Sequence, residues 1–593
     1  MVKLLAPLVA ALATTASTSL SSAHTIPKQL ESQAESQVLK DPYPYHFPLQ
    51  NSTGENLFPV PKCHGINLEE ITIDRLQHLM AKGRLTSLQL AMCYVKRIYQ
   101  IDDYVNAIME LNPDFTEIAA ELDEERSRGH VRGPLHGIPF LVKDNIGTKD
   151  KMETTAGSWS LLGSVLPRDS FVVKQLRDAG ALILGKSTLS EWADMRSNYY
   201  SEGYSARGGQ ARSAYNLSIN PGGSSSGSGI AVGANMIPFA LGTETDGSIV
   251  SPASRNAVVG IKPTVGLTSR AGVIPECHRQ DTVGPHARTM RDAVYVLDAI
   301  YGVDQHDNYT EAQIGKTPAG GYSQFLADKS ALKGATFGIP WESFWTLADD
   351  DMQSKLVELV ELIREAGATV VNGTEIPTRD LVINRNGWDW DFGATRGYPN
   401  ESEYTIVKVD FYNDIRKYLG ELNNTDIKSL EDIVKYNYDN DGTEGGNPNV
   451  HPAFQSGQDG FLASMATQGI MNETYWQAVE FCKRATGEDG IDAALRNAGG
   501  KPLDLLLVPI DVAQAPQISA QAGYPVISLP AGVRSENGMP FGLGLMGTAW
   551  SEPSLIKYAS AIEDLQASVE TKLRRTLPLW YDYKARVLPV ISI

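Results

Sequence analysis

Short apolar runs that alternate with helix-like segments most constrain what this chain can fold into. Residues 170–193, SFVVKQLRDAGALILGKSTLSEWA, predict a helix, a turn at Gly180, a strand over Ala181 to Leu184 and a second helix. Another strand is predicted at Ile138 to Val142, and three more in LDLLLVPI, YPVISLPAGV and MPFGLGLMG. This alternation is typical of an α/β fold in which helices cover both faces of a large mixed central sheet.

The same patterns suggest how the chain is divided. In TSLQLAMCYVKRIYQID, Thr86 begins a capped helix with one apolar face. The sequence pattern of residues 323–500 predicts mostly helical structure. No internal repeat or linker is visible in the 593 residues. We therefore expect a polar, proline-rich arm at 24–65, followed by a single domain at 66–593 with a helical insertion at about 385–500.

The first 23 residues have the pattern of a secretory signal peptide. Lys3 precedes the apolar run Leu4 to Ala13, and small residues lead to an expected cleavage site near Ala23. The sequence thus predicts a secreted, N-glycosylated protein. Asn216 stands beside a Ser/Gly stretch, where glycosylation is expected to be hindered. The N-x-S/T triplets begin at Asn51, Asn216, Asn308, Asn372, Asn400, Asn423 and Asn472.

Charge and cysteine content exclude several classes of protein. The formal net charge of −18 disfavours binding to nucleic acid, whose phosphates are also negative. No segment after the leader approaches the roughly 18 apolar residues of a membrane span. Four cysteines are too few and too scattered for a disulfide scaffold or a zinc cluster. One or two disulfides and buried free thiols are equally consistent with Cys63, Cys93, Cys277 and Cys482.

Two serine-bearing turns supply the candidate chemistry. The stretch GGSSSGSG at 222–229 precedes a helix of small residues, and an apolar strand then leads to TETDGS at 243–248. Closely approaching backbone N–H groups in such turns suit a developing oxyanion. Lys143 directly follows the apolar run IPFLV, where burial would lower its pKa and allow it to act as a base. The sequence therefore permits a nucleophile, a second hydroxyl, a lysine base and an oxyanion hole.

Two segments match known functional motifs, but their sequence context argues against the function of each motif. GALILGKS at 180–187 fits a P-loop pattern, but its apolar residues predict a buried strand rather than a phosphate-binding loop. GSSSG at 223–227 fits the nucleophile elbow of α/β-hydrolases, with Ser225 at its centre. No buried strand precedes it, and the downstream histidines lie far from the C-terminal position that such a triad usually uses.

Several segments in combination resemble the amidase signature family. They are Gly222 to Pro263, GPLHGIPFLVKDNI, AGALILGKSTLSEWA, QDTVGP and GYPVISLPAGV with NGMPFGLGLMG, and they extend over about residues 66–566. The resemblance implies the amidase signature fold and hydrolysis of a carboxamide C–N bond through a seryl acyl-enzyme. It implies neither a metal nor an organic cofactor.

The resemblance also implies a Ser–cis-Ser–Lys triad. Lys143 matches the base of G-I-P-x-x-V-K-D, Ser224 the bridging serine of G-G-S-S, and Ser248 the nucleophile of G-S-I. The Gly223–Ser224 peptide bond corresponds to the one that is cis in the family. The oxyanion would be held by the backbone N–H groups of Thr245, Asp246, Gly247 and Ser248.

Three departures from the family pattern G-T-D-x-G-G-S-I-R refine the expected substrate. Glu244 replaces an aspartate, Asp246 a glycine and Val250 an arginine. With GYSARGGQARSAYN upstream, they resemble the branch of bacterial peptide amidases, which release ammonia from C-terminally amidated peptides. Arg207, by analogy with the family, and Trp388 and Trp390, as aromatics of a cleft, are candidate substrate-binding residues.

Other functions remain open at this point. The enzyme is expected to act on a small-molecule or peptide amide, and the sequence gives no oligomeric state. Hydrolysis of fatty or simple aliphatic and aryl amides is one alternative, and a catalytically inactive, amidase-like binding protein is another. The amidotransferase subunit that modifies charged transfer RNA is disfavoured, because it works inside cells and this chain has a leader pattern and a strongly negative charge.

Overall fold

A large mixed β-sheet organises the chain. The computed structural model describes residues 57–394, 401–496, 500–584 and 586–592. The expected signal peptide, most of the expected arm, and the sequons at Asn51 and Asn400 lie outside these residues.

The sheet has 11 strands in the order β1-β3-β2-β6-β8-β7-β12-β13-β11-β9-β10, and β4 and β5 form a separate hairpin. The strands are β1 Ile108–Leu111, β2 Pro139–Lys143, β3 Leu182–Ser187, β4 Tyr204–Ser205, β5 Gly209–Gln210, β6 Phe239–Glu244, β7 Val259–Lys262, β8 Thr282–Ala287, β9 Thr336–Ile339, β10 Thr369–Asn372, β11 Leu505–Pro509, β12 Val526–Val533 and β13 Pro540–Met546. Parallel pairs, such as β3–β2–β6, and antiparallel pairs, such as β6–β8–β7, occur in the same sheet.

Helices cover both faces of this sheet, as the alternation of elements predicts. They are α1 Ile73–Ala81, α2 Ser87–Val105, α3 Phe115–Ser127, α4 Phe171–Asp178, α5 Ser226–Gly233, α6 Val250–Arg255, α7 Met290–Ile300, α8 Asp350–Glu365, α9 Arg379–Val382, α10 Glu403–Glu421, α11 Leu430–Asp439, α12 Asp441–Glu444, α13 Asp459–Thr467, α14 Glu473–Thr486, α15 Asp492–Arg496, α16 Gln514–Ala522 and α17 Glu552–Ser568. The expected fold class, an α/β domain with a large mixed central sheet, is confirmed. None of the described helices is long and apolar enough to cross a bilayer.

Some local expectations need correction. The helix expected immediately after β3 is a single distorted turn, because Trp192 and Ala193 have left-handed backbone angles. The helix α5 begins at Ser226, inside the Ser/Gly stretch rather than after it. The region 323–500 is mostly helical, as predicted, and it also contains the parallel strands β9 and β10, which lie at one end of the sheet.

The helices α10 to α14 lie in the region expected to be an insertion, and they share a buried apolar cluster with the main domain. Its members include Phe411 and Phe461 from these helices and Trp192 from the distorted turn. A buried ion pair supports the same junction: the Arg196 guanidinium contacts the Glu191 carboxylate and donates to the main-chain carbonyls of Glu444 and Gly445. These helices therefore pack directly on the segment that follows β3.

The cysteines divide into one disulfide and two thiols. Cys63 and Cys93 are bonded, which ties the chain before α1 to α2, and Cys277 and Cys482 are free and buried. Among the residues that the structure describes, the only grouping with metal-ligand spacing is Cys63, His64 and Cys93. Because the disulfide uses both sulfur atoms, this grouping offers no thiolate to a metal.

Candidate active site

The parallel neighbours β2 and β6 bring the candidate catalytic segments together. Lys143 is the last residue of β2, and Thr243 lies in the last two residues of β6. The two strands run side by side in register, with Val142 opposite Leu241. Since the carboxyl ends of parallel strands meet at one edge of a sheet, the lysine and the TETDGS turn share that edge.

A line of hydrogen bonds joins the three expected triad residues. Lys143 Nζ lies 2.7 Å from Ser224 Oγ, and Ser224 Oγ lies 3.0 Å from Ser248 Oγ. All three side chains are buried. Lys143 and Ser224 are 81 residues apart in sequence, and Ser224 and Ser248 are 24 apart. The geometry thus allows a proton to pass from Ser248 through Ser224 to the lysine amine.

Burial makes Lys143 suitable as a base. Desolvation lowers its pKa from 10.5 to about 8, although the nearby carboxyls of Asp194, Glu276, Asp281 and Glu202 oppose this shift. The shift occurs because a low-dielectric environment disfavours the charged ammonium. A substantial fraction of the enzyme therefore carries neutral lysine near neutral pH.

Two polar residues outside the predicted set hold the lysine in place. Thr243 Oγ1 lies 2.9 Å from Lys143 Nζ, and the Asn145 amide donates to the same hydroxyl at 3.0 Å. Neither was predicted to act in the site, although both lie within the segments quoted for it. Their nearness in sequence to Lys143 and to the TETDGS turn was the available signal.

The Ser/Gly stretch is a rigid turn rather than a linker. Its Gly223–Ser224 peptide bond is cis. Ser225 donates to the Thr243 carbonyl at 3.0 Å and receives the Thr243 N–H at 3.2 Å, which fastens the turn to β6. Gly222 has φ +77°, and a Cβ there would lie 2.8 Å from the Pro252 Cα. Glycine is therefore required where the turn meets α6.

The turn from Thr245 to Ser248 is fixed by two carboxyl groups. The Thr245 hydroxyl donates to Asp281 at 2.6 Å. The Glu244 carboxyl accepts hydrogen bonds from the backbone N–H groups of Ile249 and Val250, at 2.7 and 3.0 Å. The backbone N–H of Gly247 also hydrogen-bonds to this carboxyl. The expected oxyanion donors therefore lie on a braced segment, and the Gly247 donor is shared with Glu244.

Trp388 and Trp390 reach this site from the segment before α10. The Trp388 indole N–H donates to Asp246 Oδ2 at 2.5 Å, two residues from Ser248. The Trp388 and Trp390 rings have centroids 5.1 Å apart, and Trp390 stacks on Tyr404 at 4.9 Å. Trp388 is 39% exposed, Trp390 is half-buried and Tyr404 is buried, so this aromatic row, Trp388–Trp390–Tyr404, extends from the surface beside Asp246 into the core.

Arg207, the third candidate substrate-binding residue, has acidic partners within the chain. Its guanidinium donates to Glu110 Oε2 at 2.7 Å and lies 3.6 Å from Asp144 Oδ1. The side chain is 11% exposed. Arg207 therefore lies beside Asp144, the residue that follows Lys143, and the carboxylates of Glu110 and Asp144 balance the charge of its guanidinium. Its role in substrate binding stays a prediction.

Known proteins share this fold and sequence. The amidase family model matches residues 89–521. A Schizosaccharomyces pombe protein with an inferred amidase assignment is 58% identical over 552 residues, which make up 92% of this chain and 92% of its own. An Arabidopsis thaliana protein of similar assignment is 41% identical, over 84% of this chain and 90% of its own. The X-ray structure of native peptide amidase from Stenotrophomonas maltophilia has a TM-score of 0.75 at 38% identity, and the match covers 86% of this chain and 98% of that one.

The fold and the hydrogen-bonded Ser–Ser–Lys line define a hydrolase of amide C–N bonds. The chain belongs to the amidase family.

Proposed function

We propose that Ser248 is the nucleophile, Ser224 the bridging serine and Lys143 the base of an extracellular amidase that releases ammonia from C-terminally amidated peptides. The observation that carries the catalytic assignment is the buried line from Lys143 Nζ to Ser248 Oγ, with links of 2.7 and 3.0 Å. A depressed lysine pKa and an adjacent hydroxyl relay are what an unactivated serine needs to become nucleophilic.

The reaction runs in two halves. Neutral Lys143 takes a proton from Ser224 while Ser224 takes that of Ser248, whose Oγ bonds to the carbonyl carbon. Backbone N–H groups of residues 245–248 hold the oxyanion. As the C–N bond breaks, the proton returns through Ser224 to the nitrogen, which leaves as ammonia. Water deprotonated by the same pair then attacks the acyl-enzyme, and the carboxylate product leaves with Ser248 restored.

Three observations support a peptide amide as substrate. The peptide amidase of S. maltophilia is 38% identical over most of this chain. Asp246, one of the departures shared with that branch, is bound by Trp388 next to the nucleophile. The accessible end of the aromatic row, formed by Trp388 and the half-buried Trp390, offers an apolar surface for acyl side chains, since aromatic rings bury large areas at little entropic cost.

Secretion is supported by different features. The leader pattern precedes the described residues. The Cys63–Cys93 disulfide is typical of an oxidising compartment. Four sequons, at Asn308, Asn372, Asn423 and Asn472, lie at exposed positions. Asn216, in contrast, is buried and donates to the Asn537 carbonyl at 3.1 Å, so we expect no glycan there. A mass decrease after enzymatic removal of N-glycans from secreted protein would test this part.

Ammonia release from a substrate panel tests the catalytic part. The panel contains a C-terminally amidated peptide, a fatty amide, simple aliphatic and aryl amides, and an ester. We expect the amidated peptide to have the highest kcat/KM and Ser248→Ala to lose at least about 10³-fold. Ser226→Ala is the matched control, because the buried Ser226 hydroxyl has no hydrogen-bond partner.

The outcomes separate the alternatives. Unchanged turnover in Ser248→Ala would refute the mechanism, whatever the substrate. Preference for the fatty or the simple amides would keep the mechanism and reject the peptide assignment. A chain that hydrolyses none of the panel and whose Ser248 reacts slowly with a serine-directed fluorophosphonate would be the inactive binding protein.

A further inference from the structure

A strained turn lies against the bridging serine. Trp192, Ala193 and Asp194 have φ angles of 53°, 55° and 82°. Three consecutive non-glycine residues in the left-handed region are costly, and such strain persists mainly where a precise placement is needed. Here the placement is that of the Asp194 side chain.

Asp194 belongs to a small polar cluster, which we call the leaving-group cluster: Ser190, Asp194, Tyr200 and Glu202. The Ser190 hydroxyl donates its one hydrogen to Glu202 at 2.6 Å and lies next to the Asp194 carboxyl, which the Tyr200 hydroxyl stabilises. Asp194 Oδ1, however, is buried and has no hydrogen-bond partner. A buried acceptor without a donor is costly, so a donor supplied by a bound molecule would relieve that cost.

The cluster packs on the catalytic turn. The Ser190 N–H donates to the Ser224 carbonyl at 3.1 Å. A Cβ on Gly223 would lie 1.7 Å from Glu202 Oε1, so the carboxyl touches the backbone that precedes the bridging serine. Among the charged groups that act on Lys143, Asp194 has the largest effect. The cluster therefore contacts the backbone at the bridging serine, and its charge acts on Lys143.

The path of the proton determines which part of the bound substrate lies next to this polar cluster. The carbonyl oxygen goes to the 245–248 turn, and the nitrogen must come within reach of Ser224 Oγ to receive its proton. The polar groups packed around Ser224 from residues 190–202 are then the neighbours of that nitrogen. An unsubstituted carboxamide nitrogen carries two N–H groups, which need acceptors once water is excluded.

We propose that Asp194 accepts an N–H of the scissile carboxamide, and of the departing ammonia, and thereby selects unsubstituted amides. This inference rests on the proposed roles of Lys143, Ser224 and Ser248. Asp194 is a specificity residue in the reaction, because it contacts the leaving nitrogen without exchanging a proton with it. One carboxyl oxygen remains an acceptor whether the group is ionised or protonated, so the contact is available in both states.

Asp194→Gly is the main test, since glycine tolerates the φ of 82° and removes only the carboxyl. We compare kcat/KM for one acyl group as the unsubstituted amide, the N-methylamide and the methyl ester. The amide is expected to lose about 10- to 100-fold, and its preference over the N-methylamide to shrink. The ester has no N–H and is expected to lose less than about 3-fold.

Two further variants serve as controls for the Asp194→Gly experiment. Asp194→Asn keeps the shape, the left-handed tendency and one acceptor oxygen, so it is expected to lose less on the amide than Asp194→Gly. Ala193→Gly relaxes the same turn and leaves the carboxyl, so its amide-to-ester ratio should match the wild type. If Asp194→Gly does not fold, Asp194→Ala takes its place in the same comparison, because Ala193 shows that this turn accommodates alanine at a φ of 55°.

The pH profile separates substrate contact from an effect on Lys143 alone. Loss of the Asp194 charge would shift the acidic limb to lower pH, because the Asp194, Glu202, Glu276 and Asp281 carboxyls all favour the lysine ammonium. A shifted limb with an unchanged amide-to-ester ratio at the plateau, or equal losses on amide and ester, would overturn the proposal. If the proposed triad assignment is wrong, this would be seen separately, because the Ser248→Ala variant would then hydrolyse the amide at the wild-type rate.

Discussion

Titration of Lys143 is expected to control the rate below pH 8. Its pKa is lowered from 10.5 to about 8 by burial, and only the neutral amine can accept a proton. With this pKa, roughly a tenth of the enzyme is active at pH 7 and roughly a hundredth at pH 6. A solvated lysine of pKa about 10.4 would be neutral in only about 0.04% of molecules at pH 7. Burial thus increases the active fraction about 200-fold.

The assay is kcat/KM for ammonia release between pH 3.5 and 9.5. Because lysine loses its proton as pH rises, the rate should increase about tenfold per pH unit below pH 7, reach half of its maximum near pH 8 and level off above about pH 9. The rate at which a fluorophosphonate labels Ser248 in the free enzyme should show the same limb. This second measurement needs no leaving nitrogen, so it isolates activation of the nucleophile.

Two results would refute the reasoning. A rate that is flat from pH 6 to 9 would mean that no group with a pKa near 8 activates the nucleophile, which contradicts the role assigned to Lys143 at that pKa. A limb centred near pH 4 would instead point to a carboxyl group or to His286, whose pKa burial lowers to about 4. The His286 imidazole hydrogen-bonds the Ile249 carbonyl at 2.8 Å, and we expect it to act only in structure.

Three further predictions concern other parts of the site and fold. Lys143→Ala should lower the rate of amide hydrolysis by about 10²- to 10⁴-fold and the rate of ester hydrolysis less, because a leaving amine needs the returned proton and a leaving alcohol needs it less. Release of ammonia measures amide hydrolysis, and release of alcohol measures ester hydrolysis. Trp388→Phe removes the donor to Asp246, and a several-fold higher KM for amidated peptides with unchanged fluorophosphonate labelling is expected. Cys63→Ser opens a 30-residue loop and should lower the free energy of unfolding by roughly 3–4 kcal/mol, measured by urea denaturation; an unchanged midpoint would contradict this.

Local patterns predicted the elements that carry the triad. The apolar run before Lys143 forms β2, and the run before TETDGS forms β6, because both are short, buried and bounded by turns. The register of these parallel strands then brings Lys143 and Thr243 together. Here local sequence and tertiary structure agree, so the two turns and the lysine could be grouped from the sequence, whereas the choice of Ser224 and Ser248 as the triad serines rested on the resemblance to the amidase signature family.

Long-range order was not predictable in the same way. The hydrogen bond between Trp388 and Asp246 joins residues 142 apart, and no local pattern specifies it. The pair β9–β10 lies at one end of the sheet in a region whose helices dominate the periodicity. The left-handed turn at 192–194 contains no glycine, and its residues therefore suggest a helix. Tertiary packing overrides propensity at these positions.

The charges around Lys143 show why the whole site must be buried, and not the lysine alone. Asp194, Glu202, Glu276 and Asp281 would each favour the ammonium if they were fully ionised and would keep the base protonated. The same desolvation that lowers the lysine pKa raises theirs, to about 6 for Asp281. Burial therefore weakens the opposing charges while it releases the base. A substitution that opened this cluster to water would restore the carboxylates and the ammonium together, and activity at neutral pH would fall even with the triad intact.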